Sequence, residues 1–353
     1  MTRRLYIDAL RGFAVVLMIM WHSIDAWTLP SSRDSAAFAV IVFLAGWVAP
    51  MFLFLAGVAI PLAGAARISR GASRRQAGWS LQKRGWEIFL IAHLFRVQSF
   101  LLNPNGQWAS ILKPDILNIL GLGMVGAAFV WSRSRDLRSL AWGLLAPTAL
   151  MLFVLTPWSR HWWWPALLHP RLEAYVRPVG NLGQFTLFPT VCYLLAGTLI
   201  GAMIAASDPR DVRAQGRVAL AGAGALAVGL VLTPFATWVT SWGDSPALFF
   251  ARAGIITLLL PLAWMLARRL EPGGWHPLVV FGQTSLFVYW VHVELVYGVF
   301  SYPLKRGLPL SVSFPAYLLF TGAMLLAAKA WQRRPYGPLV PLHMRAPGTV
   351  SGP

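Results

Sequence analysis

Four ionisable residues, Asp8, Arg11, His22 and Asp25, interrupt an otherwise apolar stretch near the start of the chain. At 100° per residue, with Arg11 at zero, Asp8 falls at about +60°, His22 at about +20° and Asp25 at about −40°. The four share one polar stripe about 100° wide. Arg11 and His22 stand about 16 Å apart along the axis. A guanidinium suits phosphate or pyrophosphate, which it can grip bidentately. An imidazole with a carboxylate three residues on can act as a general base, oriented and made more basic by that partner. Charged groups inside a membrane span are costly and signal either function or structural pairing. A buried His22–Asp25 pair that only locks helices together is the plainer reading, and four groups on one stripe favour function.

Further candidates are scattered singly. Glu87, His93 and Arg96 lie on a later apolar segment, Asp115 opens the next, Arg252 enters another, and His292 and Glu294 share one near the end. Glu87 and Arg96 could each pair with the first helix; taken alone, each of these groups reads as a structural pairing partner. Zinc-type ligand spacing, a nucleophile elbow and a phosphate-cradling loop are not found.

The elements that must carry these residues follow from composition. Hydrophobic residues make up 57% of 353 and charged residues only 12%, half of the roughly 25% usual for soluble domains. Such a chain cannot coat a globule with polar groups, so a lipid bilayer is its natural solvent. The net charge of +18 would suggest nucleic acid in a soluble protein, but the basic residues fall between apolar runs, where they set membrane orientation. Nucleic-acid binding is excluded on this ground. The single cysteine, Cys192, has no internal disulfide partner and reads as buried and inert. Arg3 and Arg4 precede an apolar stretch, yet the charges within it and the lack of a small-residue cleavage site mark a retained helix rather than a signal peptide.

Ten apolar segments of roughly spanning length can be marked: 8–27, 37–65, 85–102, 115–131, 140–158, 186–206, 218–238, 248–267, 277–300 and 313–331. Pro50, Pro189 and Pro261 predict kinks. The expected fold is an all-α, polytopic helical bundle of about ten transmembrane helices. With the N-terminus inside, the inner segments hold nineteen Lys and Arg residues and the outer loops seven, which places both termini in the cytoplasm. Arg11 then lies near the cytoplasmic edge and His22 toward the outer leaflet. The longest outer loop, 159–185, carries His161-Trp162-Trp163-Trp164-Pro165, read as an interfacial aromatic anchor or, alternatively, a shelf for a sugar ring. Residues 1–335 form one transmembrane domain and 336–353 a loose cytoplasmic tail.

The segment Arg4-Leu5-Tyr6-Ile7-Asp8-Ala9-Leu10-Arg11-Gly12, followed by ten residues to His22, resembles the transmembrane acyltransferase superfamily, and its Arg-to-His spacing resembles the acyltransferase-3 family. Pro50 through Gly57, Lys113 through Leu122, Phe188-Pro189 through Gly201, and Gly282 through His292 are similar to segments of the bacterial relatives of heparan-α-glucosaminide N-acetyltransferase. The resemblance implies an inner-membrane enzyme that takes an acyl group, the acetyl of acetyl-CoA above all, from a cytoplasmic acyl-CoA. The acceptor would be an extracytoplasmic sugar, glycan or lipid-linked sugar, through a hydroxyl or an amine. No tightly bound cofactor and no metal are expected. On this reading His22 is base or transient acyl carrier with Asp25 beside it, Arg11, Asp8 and Arg84 face the CoA phosphates, and Asp115, Arg96, Glu87 and His292 are pocket candidates. The basic loop from Arg67 to Arg84 could add contacts to the anionic donor, although a topology signal accounts for most of it. The animal-type relatives place a histidine in the first outer loop; here 28–35 has none, which leaves His22 as the candidate there. The alternative function is a proton-coupled transporter or flippase that uses the same stripe as a relay.

Overall fold

A backbone surrounded by lipid must satisfy its own N–H and C=O groups, and the helix does so within one segment. The computed structural model describes residues 4–102, 111–180, 182, 185–238, 242–268 and 276–333. Among them the regular structure is helical, joined by turns and loops, with one isolated bridge between Thr28 and Leu308. The helices are α1 (Leu5–Trp27), α2 (Ala36–Ala45), α3 (Val48–Ile68), α4 (Arg74–Leu102), α5 (Ile116–Arg133) and α6 (Leu137–Leu150), which continues through a π-helical stretch, Met151–Leu155, into α7 (Thr156–His161). Two short turns follow, α8 (Pro170–Glu173) and α9 (Leu187–Thr190), then α10 (Cys192–Ala205), α11 (Val212–Leu232), α12 (Pro246–Ala267), α13 (Pro277–Gln283), α14 (Ser285–Tyr297) and α15 (Leu310–Arg333).

The expected all-α polytopic bundle is present, with a smaller helix count among the described residues than the ten segments read from the sequence. Eight helices are long and apolar enough to cross a membrane, and α13 with α14 makes a ninth if the bent pair is one span. The two differences lie at α4 and α14. The third segment lies within the 29 residues of α4, which is not among the eight apolar spans. The ninth breaks at Thr284, where the chain turns by 88°. The expected tail 336–353 and its boundary at 335 lie outside the described residues, as do Arg3, Arg269, Arg334 and Arg345 of the inner loops.

Helix association in lipid relies on close packing rather than on the hydrophobic effect, so small residues mark the crossings. Gly85 and Gly121 bring α4 and α5 together as an antiparallel pair. Gly197 and Gly201 lie against the backbone of Phe54 and Val58 where α10 crosses α3, and Gly222 and Gly254 join α11 to α12. The tightest crossing is that of α1 with α13. A Cβ at Gly12 would overlap the Leu278 carbonyl, and one at Gly282 would overlap the Asp8 carbonyl. Around this crossing α1 sits at the centre, touching α2, α3, α12, α13, α14 and α15. Its apolar side is sealed, with Ala14, Val15, Ile19 and Ile24 fully buried.

Gly12→Ala is therefore expected to lower thermal stability in mild detergent by about 1–3 kcal/mol, the usual cost of overpacking. Gly126→Ala, on α5 with open space around it, should be neutral or slightly stabilising, as measured by thermal unfolding of both variants.

Candidate active site

The polar stripe of α1 lies along the bent pair α13–α14. At its lower end Asp8 is buried and sits 4.0 Å from the Arg11 guanidinium, one turn away. At its upper end His22 meets His292 of α14, with Nδ1 of His22 2.8 Å from Nε2 of His292 and the two rings nearly coplanar, 5° apart. The Nδ1 atom of His292 lies 2.7 Å from the Val288 carbonyl. Tyr297 closes edge-on against the His22 ring, centroids 5.6 Å apart.

This string of contacts assigns the tautomers. A carbonyl only accepts, so Nδ1 of His292 carries a proton, and in the neutral ring Nε2 then holds a lone pair. That lone pair accepts from Nδ1–H of His22, which leaves Nε2 of His22 as the unprotonated atom. The His22 Nε2 atom has no hydrogen-bond partner among the described residues and is not among the buried unsatisfied atoms, and the residue as a whole is half-buried. A neutral imidazole held in one tautomer, with its outer nitrogen open, is the arrangement of a general base.

Asp25 is placed differently from the expectation that it would orient His22. Its carboxylate pairs with Arg33, 3.1 Å away in the loop after α1, and the same guanidinium also donates to the Asp25 carbonyl. The Tyr297 side chain lies near Asp25 as well. The orienting partner of His22 is His292, 270 positions along the chain. Sequence reasoning singled out His292 only by itself, and nothing in the spacing points from one histidine to the other. Arg33 and Tyr297 were missed: one lies in a loop and the other is uncharged.

A second polar cluster adjoins the first through α14, where the rings of Tyr289 and His292 are 6.0 Å apart. Asp115 accepts hydrogen bonds from the Tyr289 hydroxyl and from Arg96, both at 2.8 Å. Its backbone N–H donates to Asn118, whose amide lies 3.3 Å from Nε2 of His93. Lys113, beside this cluster in the connection before α5, has its pKa lowered, first by burial and then by the Arg96 charge. Tyr175, in the loop after α8, is pushed up to about 12 by burial, with the Asp115 charge adding to the shift. Arg96 and Glu87 pair away from the first helix: Glu87 bridges to Arg84 on its own helix at 3.0 Å.

Several basic residues tie down helix ends. Arg67 donates to the Ser80 hydroxyl and the Ala63 carbonyl, Arg74 to the Trp131 carbonyl, and Arg4 to the carbonyls of Ile204 and Ser207 at the end of α10. Arg252 lies against Tyr193 and 5.8 Å from the Trp47 ring. Of the aromatic loop run, the side chains of His161, Trp164 and Pro165 lie outside the described residues. Among the described residues no three metal-ligating side chains converge.

A comparison with protein families matches residues 3–233 to the catalytic domain of heparan-alpha-glucosaminide N-acetyltransferase. None of the curated proteins compared matches the chain. The matched region contains the whole of α1 with Arg11 and His22, and α4 and α5 with Arg96 and Asp115; it ends before α14, which brings His292. With about two thirds of its length matched, the chain belongs to the heparan-alpha-glucosaminide N-acetyltransferase catalytic family and is a multi-pass membrane acetyltransferase.

Proposed function

We propose that the protein carries an acyl group, acetyl in the first instance, from a cytoplasmic acyl-CoA to an extracytoplasmic sugar or glycan, with His22 as the base. The observation that carries this reading is the open Nε2 lone pair of His22, fixed by the His292–Val288 string. The acceptor's hydroxyl or amine nitrogen attacks the thioester carbonyl while Nε2 of His22 takes its proton. The new C–O or C–N bond forms, the C–S bond breaks, and the proton passes from His22 to the departing CoA thiolate. During the step the imidazolium charge is shared with Nε2 of His292, which faces Nδ1–H, so a second histidine does the work of the orienting carboxylate in a Ser-His-Asp triad.

Charge supports the sidedness. The nineteen-to-seven excess of basic residues in the segments assigned to the inside favours a cytoplasmic position for both termini and for the Arg11 end of α1. Arg11 keeps 23% of its side-chain surface exposed beside Asp8, and it is the residue on this stripe suited to a CoA phosphate. Its distance of about 16 Å from His22 along the axis is the distance that the donor's long flexible arm has to cover. Arg84, held by Glu87, is a secondary candidate for the same anion.

His22→Ala is expected to abolish acetyl transfer in purified protein while insertion and acetyl-CoA-induced thermal stabilisation persist; transfer at the wild-type rate would remove this mechanism. His292→Phe should reduce kcat by about 10²–10⁴-fold, the range for a disabled general base. His292→Gln, whose amide oxygen can accept from the same Nδ1–H, should recover part of that loss.

A further inference from the structure

Four membrane spans terminate at one level of the bundle, where α3 ends at Ile68, α5 ends at Arg133, α6 begins at Leu137 and α10 ends at Ala205. Between these termini lies a cavity of about 240 Å³. That is smaller than the roughly 300–1,000 Å³ of drug-sized pockets, so it suits a small polar headgroup and not a whole nucleotide. Pro61, Leu140 and Ala202 give it apolar lining. The Trp131 ring forms another part of the wall, and it reaches that place because Gly64 has no side chain: a Cβ there would overlap the ring.

Two opposite charges line this space and do not meet. Arg74 stacks over the Trp131 ring, 4.7 Å from its centroid, and the Trp131 carbonyl accepts from its Nε at 3.1 Å and its Nη2 at 2.9 Å. These bonds fix the guanidinium. Its Nη1 has no hydrogen-bond partner among the described residues and is not among the buried unsatisfied atoms, so its N–H groups stay accessible. Asp136 is fixed too, as the cap of α6, where Oδ1 accepts from the Ser139 N–H at 2.7 Å. That bond lowers its pKa, with the Arg138 charge adding a smaller share, so the carboxylate is ionised at neutral pH. Among the described residues it makes no ion pair within 4.0 Å. A cation and an anion held apart on one cavity match a ligand that carries its own phosphate and its own ammonium. The guanidinium suits the phosphate, and the carboxylate suits an amine that still has N–H groups to donate. Ile68 and Leu137, exposed where they line the cavity, offer apolar surface to attached chains.

We propose that this cavity holds the phosphoethanolamine headgroup of a membrane phospholipid, with the phosphate on Nη1 of Arg74 and the primary ammonium on Asp136. A glycerol headgroup leaves Asp136 without a counter-charge. A choline headgroup brings a cation with no N–H to give.

The test titrates the full chain, purified in mild non-ionic detergent, with phosphatidylethanolamine, phosphatidylglycerol and phosphatidylcholine of identical chains, and counts bound lipid by native mass spectrometry. The expected result is one phosphatidylethanolamine held with a Kd roughly tenfold below that of either other lipid, the worth of one charge-assisted hydrogen bond. Asp136→Asn keeps the helix cap, because Asn caps as well as Asp, and should erase the preference. Arg74→Gln should weaken phosphatidylethanolamine binding roughly tenfold. Equal or tighter binding of phosphatidylglycerol or phosphatidylcholine by the wild type overturns the proposal, as does a preference that survives Asp136→Asn, or wild-type affinity in Arg74→Gln. O-phosphoethanolamine, the headgroup without chains, separates the two sources of this chemistry: competition at concentrations equal to the lipid's assigns the cavity to a soluble phosphorylated amine and overturns the lipid. None of these readouts involves acetyl transfer, so an adverse result leaves the proposed function standing.

Discussion

The backbone contact between α1 and α13 is the constraint on which the rest of the site depends. Gly12 and Gly282 leave no room for even a Cβ between the two helices, and this holds the start of the bent pair against the lower half of α1. From there the position of the base follows by a short string of hydrogen bonds. The Thr284 carbonyl takes the Val288 N–H at 2.9 Å, the Val288 carbonyl takes the His292 ring, and His292 takes the His22 ring. A side chain added at either glycine would displace the corner, and with it the His292 nitrogen that faces His22.

The same physics explains why α4 looks unlike its neighbours. Polar groups in a bilayer must be turned toward protein or water, and those of α4 are turned toward α5 and α14. Arg96 meets Asp115, His93 meets Asn118, and Gln98 accepts from the Trp290 indole at 2.8 Å. A helix outside the apolar spans thus carries the polar groups that face α5 and α14.

Much of the fold was legible because two signals are strong. Composition demanded a bilayer, and long apolar runs demanded helices. The stripe on α1 was legible because helical periodicity reports which residues share a face. Periodicity does not report what faces them: Asp25, three residues from His22, was the nearest carboxylate in sequence and turned out to pair with Arg33. The true partner comes from 270 residues away on a helix whose direction changes at Thr284. That corner has no proline of its own, and Gly282, the residue that permits the close crossing, looks in the sequence like one of 31 glycines. The uncharged members of the site, Tyr175, Tyr289 and Tyr297, carry no membrane penalty large enough to draw notice, so only the three-dimensional arrangement reveals them.

The corner itself is complete. The N–H and the hydroxyl of Thr284 both close on the Val280 carbonyl, at 3.1 and 2.8 Å, so the last turn of α13 is capped by its own bonds where the chain turns. A base positioned by such a corner, as proposed for His22, would be preorganised, its tautomer and direction set before donor or acceptor arrives. Little reorganisation energy is then demanded of the protein during the reaction, and the binding energy of the long donor can go into carrying its thioester to a nitrogen that is already waiting.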